Sequence, residues 1–487
     1  MLFTLLRMKV FAVVLGKEGV GVMSLLTVVW ELGFLIGGLG ISQSGVRFLS
    51  EARSKNDPER IRYLRTIIKK IVFVSGIFTV FVFIIFRNQI SDLTFNSTDF
   101  GLVIGILGIG VLFQIFAEGE KSIILGYREV KKLAVGNGVG IISGTIIGVL
   151  LVLFFKSSGL VWVILATALC TWIALFFQQR SINQNATAEG GHGREDKTIH
   201  SSSRYAIPLV QLGLVLVASS VLASSVSFIT RIWIVDNEAS LLLGKEAAGL
   251  YDQAFRVSAF YVNFVLGAMA ADFLPRLTEV ISSPDRRTQT VNEQIEVGVL
   301  LIIPGIIGLI LFREPILYVL ASKEFLSAGP LIIWFACGCL GRVITWPIAY
   351  LFVAAEKKIT FFAVELGVSL ANVALAWILV RKYGALGGAA AFGLIYVIYG
   401  ICVTAIANKQ FNFRPNKSVI KIVSVSIICA GLAIAFGIYG SVMGFWYYAV
   451  SLVFSLVVGF FSLKEVVSLL PDGHSWKIKL ERLPFVS

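Results

Sequence analysis

Charge, histidine and paired cysteine are all scarce in this 487-residue chain. Charged residues make up 15% of it, there are three histidines, and the five cysteines form no C-x-x-C pair. His192, His200 and His474 lie in polar stretches, whereas Cys170, Cys337, Cys339, Cys402 and Cys429 sit within apolar runs. That pattern argues against a metal or thiol-redox centre and makes the cysteines packing residues, so no cofactor is expected. A phosphate-binding loop is also missing. Gly16, Gly19, Gly21 and the Gly37-Gly38-x-Gly40 run are rich in glycine but follow no strand and lack a Gly-Lys-Ser/Thr ending, which excludes nucleotide-driven pumping by this chain. Long polar segments are few, and no loop outside the cytoplasmic side is large enough to fold. A membrane enzyme with a catalytic extracytoplasmic loop is therefore not expected.

Apolar sequence dominates instead. Hydrophobic residues make up 57% of the chain and the mean hydropathy is +0.85. Apolar runs long enough for a hydrocarbon core of about 30 Å recur with polar gaps. They fall near 20–42, 71–86, 102–118, 133–155, 160–178, 207–235, 249–274, 297–312, 329–355, 359–380, 385–407, 419–438 and 442–463. A shorter segment, Met1 to Leu15, carries Arg7 and Lys9, lacks signal-peptide chemistry, and reads as the second half of a helix. The expected fold class is an all-α polytopic membrane protein of about 14 transmembrane helices. Pro275, Pro304, Pro315, Pro330 and Pro347 mark kinks or helix ends.

The net charge of +13 is distributed by side and does not call for nucleic acid. With a cytoplasmic N-terminus, 29 of the 42 Lys and Arg fall at cytoplasmic loops and the tail. Only eight (Lys17, Arg87, Lys156, Lys245, Arg313, Lys323, Arg381 and Lys382) fall outside. This bias supports the orientation, with both termini cytoplasmic. The other five, Arg7, Lys9, Arg231, Arg256 and Arg342, lie inside apolar spans.

An internal repeat appears at an offset of about 227 residues. Leu15-Gly16-Lys17-Glu18 returns as Leu243-Gly244-Lys245-Glu246, Arg47-Phe48-Leu49-Ser50-Glu51 resembles Arg276-Leu277-Thr278-Glu279, and Lys131-Lys132 matches Lys357-Lys358. An offset of six helices preserves orientation, so two six-helix lobes in parallel pseudo-repeat are expected, followed by two C-terminal helices. The boundaries read 1–178 for the first lobe, 179–206 for a cytoplasmic linker, 207–407 for the second lobe and 408–487 for the last helices and tail. In transporters built this way the substrate site lies between the lobes.

Charges inside a bilayer are costly and mark candidate sites. Arg231, Arg256, Arg342 and Lys9 are the candidate cationic lining, suited to an anionic lipid-linked substrate. Arginine fits a diphosphate because its planar fork donates paired hydrogen bonds and stays charged when desolvated. Two plainer readings stand beside this: Arg231 snorkels to an interface, and Arg256 pairs with Asp252 one turn away. Glu31, Asp252 and Glu365 are candidates for ion coupling or for balancing the arginines. The Ser219, Ser220, Ser224, Ser225 and Ser227 face either lines a polar groove or lets helices pack closely.

Three motifs resemble one known family. Lys9-Val10-Phe11-Ala12-x-x-Leu15-Gly16-Lys17-Glu18-Gly19-x-Gly21 resembles the first-helix signature of Wzx-type O-antigen and lipid III flippases. Gly249-Leu250-Tyr251-Asp252-Gln253-Ala254-x-Arg256-x-Ser258, with Phe273-Leu274-Pro275-Arg276-Leu277-Thr278, is similar to their seventh-to-eighth helix region, and Tyr383-Gly384-Ala385-Leu386-Gly387-Gly388-Ala389-Ala390 to a later turn. The resemblance implies the multidrug/oligosaccharidyl-lipid/polysaccharide exporter superfamily, with two six-helix lobes in a V. It also implies transfer of undecaprenyl-diphosphate-linked oligosaccharide, such as an O-antigen repeat unit, from the cytoplasmic to the periplasmic leaflet of a bacterial inner membrane by alternating access. Membrane lipids, a polysaccharide polymerase and chain-length proteins are the partners it suggests. Family members carry most of a helix before the lysine matched by Lys9. The alternative reading is a drug or cation exporter on the same architecture, which would favour carboxylates over arginines at depth.

Overall fold

A computed structural model of the chain describes residues 2–55, 57–189, 203–238, 241–439 and 445–469. Among these residues there is no strand; the chain is a succession of α-helices. They group into two compact units, Met1–Gly249 and Leu250–Ser487.

The first unit opens with α1 (Leu2–Gly37), which is broken at Gly16 (φ 64, ψ −169). Such a backbone costs glycine least, because it has no Cβ. Leu39 and Gly40 then turn the chain, both at positive φ, into α2 (Ile41–Ser54). Helix α3 (Pro58–Ile85) starts at Asp57, whose carboxylate accepts the Arg60 N–H at 2.9 Å, with proline in the first turn. After a short α4 (Arg87–Phe95) come α5 (Gly101–Gly126), α6 (Val130–Phe155), α7 (Leu160–Glu189) and α8 (Ser203–Asp236). Helix α5 packs against α1, α2, α3 and α7. Its Ile104, Leu107, Val111 and Ile115 meet Leu25, Leu26, Leu64 and Ile68 in a fully buried core.

Helices α6 and α7 show why so apolar a pair packs in one register. Gly136, Gly140, Gly144 and Gly148 recur every fourth residue and face Leu175, Thr171, Thr167 and Val163 in descending order. A Cβ at Gly140 would come within 2.7 Å of the Thr171 Cα. Four missing side chains let the backbones approach, and dispersion then acts over the whole seam.

Helix α9 (Leu241–Glu279) runs from the first unit into the second. The second unit continues with α10 (Pro284–Leu311), α11 (Arg313–Leu320), α12 (Gly329–Ala354), α13 (Lys358–Phe411), α14 (Lys417–Tyr439) and α15 (Phe445–Leu469). Helix α10 packs on α12, α14 and α15 and buries Val291, Ile295, Val299, Ile302, Ile303, Ile306 and Ile310. Asn292 ties its first turns to the 412–416 turn, accepting from Asn416 N at 3.3 Å and donating to Arg414 O at 3.4 Å. Pro304 and Pro347 lie inside α10 and α12.

Among the described residues, eleven helices are long and apolar enough to cross a membrane, against the count of about 14 expected. Merging accounts for part of the difference. Helix α13 is a 54-residue element that carries the expected spans 359–380 and 385–407 across a break at Gly384 (φ 57, ψ −136). The first candidate span, Leu5–Arg53, likewise contains both α1 and α2.

The domain limits read from sequence also differ. Helix α7 continues to Glu189 because Gln179, expected to open the linker, is buried and accepts a hydrogen bond from Lys69 at 3.3 Å. Residues 190–202 of that linker lie outside the described residues. Helix α8, assigned by sequence to the second lobe, packs on α1 and α2 and belongs by contact to the first unit.

Candidate functional site

In the first unit the charged residues lie on an antiparallel seam of α1 with α8. Ser24 and Glu31 are two turns apart on α1, and Arg231 and Ser224 are two turns apart on α8. Each pair therefore sits on one helical face. Arg231 is 4% exposed. Its Nε donates to Ser24 Oγ at 2.8 Å, and its Nη1 donates to Ser227 O at 3.1 Å and to Ser227 Oγ. Ser224 Oγ donates to Glu31 Oε1 at 2.8 Å. Hydroxyls at this spacing satisfy the buried guanidinium and the half-buried carboxylate.

The snorkelling reading of Arg231 is thereby set aside: the side chain turns inward. Ser224 and Ser227 bind charge, which the small-residue packing reading of that face did not anticipate. No ion pair joins Glu31 to Arg231 among the described residues. Further along the seam, Gly40 and Gly213 meet backbone to backbone, so a Cβ on either would overlap the other segment. Lys9 is half-buried on the first segment of α1, two turns before the break at Gly16.

In the second unit, Arg256 Nε is ion-paired with Asp252 one turn earlier on α9, with side chains 38% and 5% exposed. The intrahelical reading of this pair holds, and the guanidinium remains partly accessible. Arg342 on α12 donates from Nη1 to Asn263 Oδ1 at 3.0 Å. Glu365 accepts from Tyr399 Oη at 2.5 Å, so the two segments of α13 are joined across the Gly384 break. Tyr399 is followed by Tyr396, with ring centroids 6.3 Å apart, and Tyr396 packs on Gly341 beside Arg342. Aromatic side chains thus connect the surroundings of Glu365 with those of Arg342.

Sequence reasoning missed Ser24, Asn263, Tyr396 and Tyr399. A lone serine, asparagine or tyrosine within an apolar run carries no motif, and only the fold brings each beside a charge. Among the described residues no group of three His, Cys, Asp or Glu could hold a metal ion.

Comparisons with known proteins agree with this architecture. The family described as "Polysaccharide biosynthesis protein" matches residues 10–330. The Lipid III flippase of Escherichia coli is 18% identical over 401 residues, covering 80% of this chain and 90% of that protein. The succinoglycan biosynthesis transport protein ExoT of Rhizobium meliloti is 25% identical over 187 residues, 37% of this chain and 35% of that one. Among solved structures, lipid II flippase MurJ in an inward closed conformation superposes with a TM-score of 0.69 at 18% identity, covering 96% of both chains. An inward-facing multidrug resistance MATE family transporter of the MOP superfamily gives 0.65 at 14% identity, over 84% of this chain and 94% of that one. The chain belongs to the polysaccharide biosynthesis protein family and has the multi-pass membrane fold of the MOP transporters, in agreement with the Wzx-type resemblance of its motifs.

Proposed function

We propose that this protein is a flippase that moves an undecaprenyl-diphosphate-linked oligosaccharide, such as an O-antigen repeat unit, from the cytoplasmic to the periplasmic leaflet of the inner membrane. The reading is supported by the family match, by the similarity to a protein named lipid III flippase and by the shared fold with one named lipid II flippase. The observation that carries it is the placement of Arg342. It lies about 20 Å along α12 from Gly329, half-buried, with one guanidinium nitrogen engaged by Asn263.

A guanidinium has five N–H donors in a planar fork. Apart from the bond to Asn263, the donors of Arg342 are not taken up by the described residues, so they can receive phosphate oxygens. Arg256, half-exposed on its Asp252 partner, is the second group we assign to the diphosphate. Lys9 and Arg231 contribute positive charge in the first unit. In this conformation Arg231 acts through the α1–α8 seam, because its donors are held by Ser24 and Ser227. Glu31, Asp252 and Glu365 balance this charge, and Glu365 is the one we assign to ion coupling, since a tyrosine and not an arginine holds it.

Alternating access would let the polar head cross in a hydrated path while the polyprenyl tail stays in lipid. Cytoplasmic termini, supported by the Lys and Arg distribution, and handover to a polysaccharide polymerase with its chain-length proteins complete the proposal. No step requires covalent chemistry by this chain.

The test is complementation of a bacterium that lacks its O-unit flippase, comparing wild type with Arg256→Ala and Arg342→Ala at matched membrane levels. Restoration by wild type and loss in both variants supports the reading. Full activity in both variants would remove the two arginines from the site. Failure of wild type to complement, together with export of cationic dyes, would favour the drug or cation exporter.

A further inference from the structure

A groove of about 640 Å³ opens on the first unit along α1 and α3, and its lining includes neither Arg231 nor the serines that bind it. Its floor exists because α1 has no side chain at two positions one turn apart. A Cβ at Gly33 would come within 2.5 Å of the Phe83 ring, and one at Gly37 would overlap Thr79 Oγ1. Ile36, Val74 and Phe78, all more than half exposed, form the outer rim. Ser75 and Thr79 also line the groove, but their hydroxyls donate to the backbone of α3 itself, to Val72 O and Ser75 O. The interior therefore offers a passing ligand almost nothing but apolar surface.

Among the described residues, the only charged side chain lining the groove is Lys70, at one end. It stands where the basic first turns of α3 (Arg60, Arg62, Arg65, Lys69) give way to the apolar run 71–86. That is the level at which a lysine reaches lipid headgroups. Its neighbour Lys69 is committed to Glu120 at 3.5 Å and to Gln179 at 3.3 Å. Lys70 is exposed and has neither a hydrogen bond nor an ion pair among the described residues.

We propose that this groove holds one acyl chain of an anionic glycerophospholipid whose phosphate sits on Lys70. From Lys70 to Phe83 the groove follows about 20 Å of helix, against roughly 15 Å for one leaflet's share of a hydrocarbon core of about 30 Å. A chain of ordinary leaflet length fits with little to spare. One ammonium, a compact point charge with three donors, matches a singly charged phosphodiester. The more highly charged diphosphate of the transport substrate would call for the arginine forks found elsewhere in the chain. The bound lipid would lie along the contact of α1 with α3, where Gly33 and Gly37 let the Phe83 ring and Thr79 settle against α1.

The experiment is native mass spectrometry of the full chain released from detergent after exchange into dioleoyl phosphatidylglycerol or dioleoyl phosphatidylcholine. Wild type should retain one phosphatidylglycerol and little phosphatidylcholine. Lys70→Gln should lower the retained fraction about fivefold, the effect of a single interfacial lysine. Lys131→Gln, which removes an equally exposed lysine at the start of α6, should leave it unchanged. Val74→Trp, placed on the exposed rim, should block retention while preserving the melting temperature. Equal retention of both lipids, or equal loss in the Lys70 and Lys131 variants, would overturn the assignment. So would preferential retention of a polyprenyl phosphate added at the same concentration, which would give the groove to the substrate's tail. Because no transport is measured, the outcome is independent of the flippase reading.

Discussion

Gly21 on α1 and Gly249 on α9 meet backbone to backbone within the first unit. A Cβ at Gly21 would overlap the Lys245 carbonyl and lie 3.1 Å from Gly249 N; one at Gly249 would overlap the Lys17 carbonyl and lie 3.0 Å from Gly21 N. The contact is reciprocal: Lys17 and Lys245 stand at matching positions of the two Leu-Gly-Lys-Glu copies, and Gly21 and Gly249 each follow four residues later. An ion pair between Lys245 and Glu18 (3.5 Å) lies alongside, with Lys245 also 5.1 Å above the Phe100 ring. The repeated motif thus serves to bring its own two copies together.

Gly249→Ala should therefore cost about 1–3 kcal/mol, since the added methyl meets backbone that cannot rotate away. Gly267→Ala, on the same helix with nothing within 4 Å of the new methyl, should be neutral or slightly stabilising through helix propensity. Melting temperatures of the two variants in detergent check the pair. Equal melting points would mean that the helices can separate at Gly249 without loss.

The α6–α7 seam gives a second matched pair. Gly140→Ala places a methyl 2.7 Å from the Thr171 Cα, whereas Gly138→Ala, two residues away, faces open space. The first should lower the folded yield and the melting point, and the second should not. Detergent solubility by size-exclusion chromatography, read with the melting curves, separates them.

Arg231 and Ser24 should be energetically coupled. A hydrogen bond to a charged group contributes about 1.5–3 kcal/mol, and removing either partner leaves the other buried. A double-mutant cycle of Arg231→Ala and Ser24→Ala, measured by reversible denaturation in micelles, should return a coupling of that order. Additivity of the single effects would show that the geometry at 2.8 Å contributes nothing net.

Arg342→Ala should abolish complementation while leaving the unfolding free energy within about 1 kcal/mol of wild type, because its hydrogen bond to Asn263 is exposed. Arg342→Lys keeps the charge but loses the fork and should restore activity only in part. Parallel losses of stability and activity would make Arg342 a structural residue.

Glu365→Gln preserves an acceptor for Tyr399 Oη and should keep the fold. If Glu365 carries the coupling ion, the variant should lose the response of transport to an imposed pH or sodium gradient, in membrane vesicles loaded with lipid-linked substrate. An unchanged gradient response would return Glu365 to charge balance alone.

Much of this architecture was legible in the linear chain. Apolar runs of membrane length, separated by basic turns, dictate an all-helical membrane fold because no other hydrogen-bonding arrangement satisfies the backbone of so many single apolar segments in lipid. Gly16 and Gly384 could be read as turn positions from their polar neighbours, and both adopt positive φ. The intramembrane cations were visible because each interrupts a hydrophobic run. The glycine ladder of α6 was also present as a spacing of four, a signal that could have predicted the tight α6–α7 seam.

What the sequence by itself determined was the class of structure and the list of charges needing an explanation, since both follow from the free energy of putting each residue into lipid. The tertiary structure decided the partners. Arg231 is satisfied by Ser24 on the adjacent α1, some 200 residues away in sequence, and by Ser227 on its own helix; Arg256 is satisfied by its own helix, and Glu365 by a tyrosine brought back across a glycine break. It also decided where the first unit ends, because α8 packs on α1 and α2 through Gly213 and Gly40. Hydropathy depends on the residue alone, whereas a hydrogen bond depends on which helix faces which, and that is set by side-chain packing that no single segment carries.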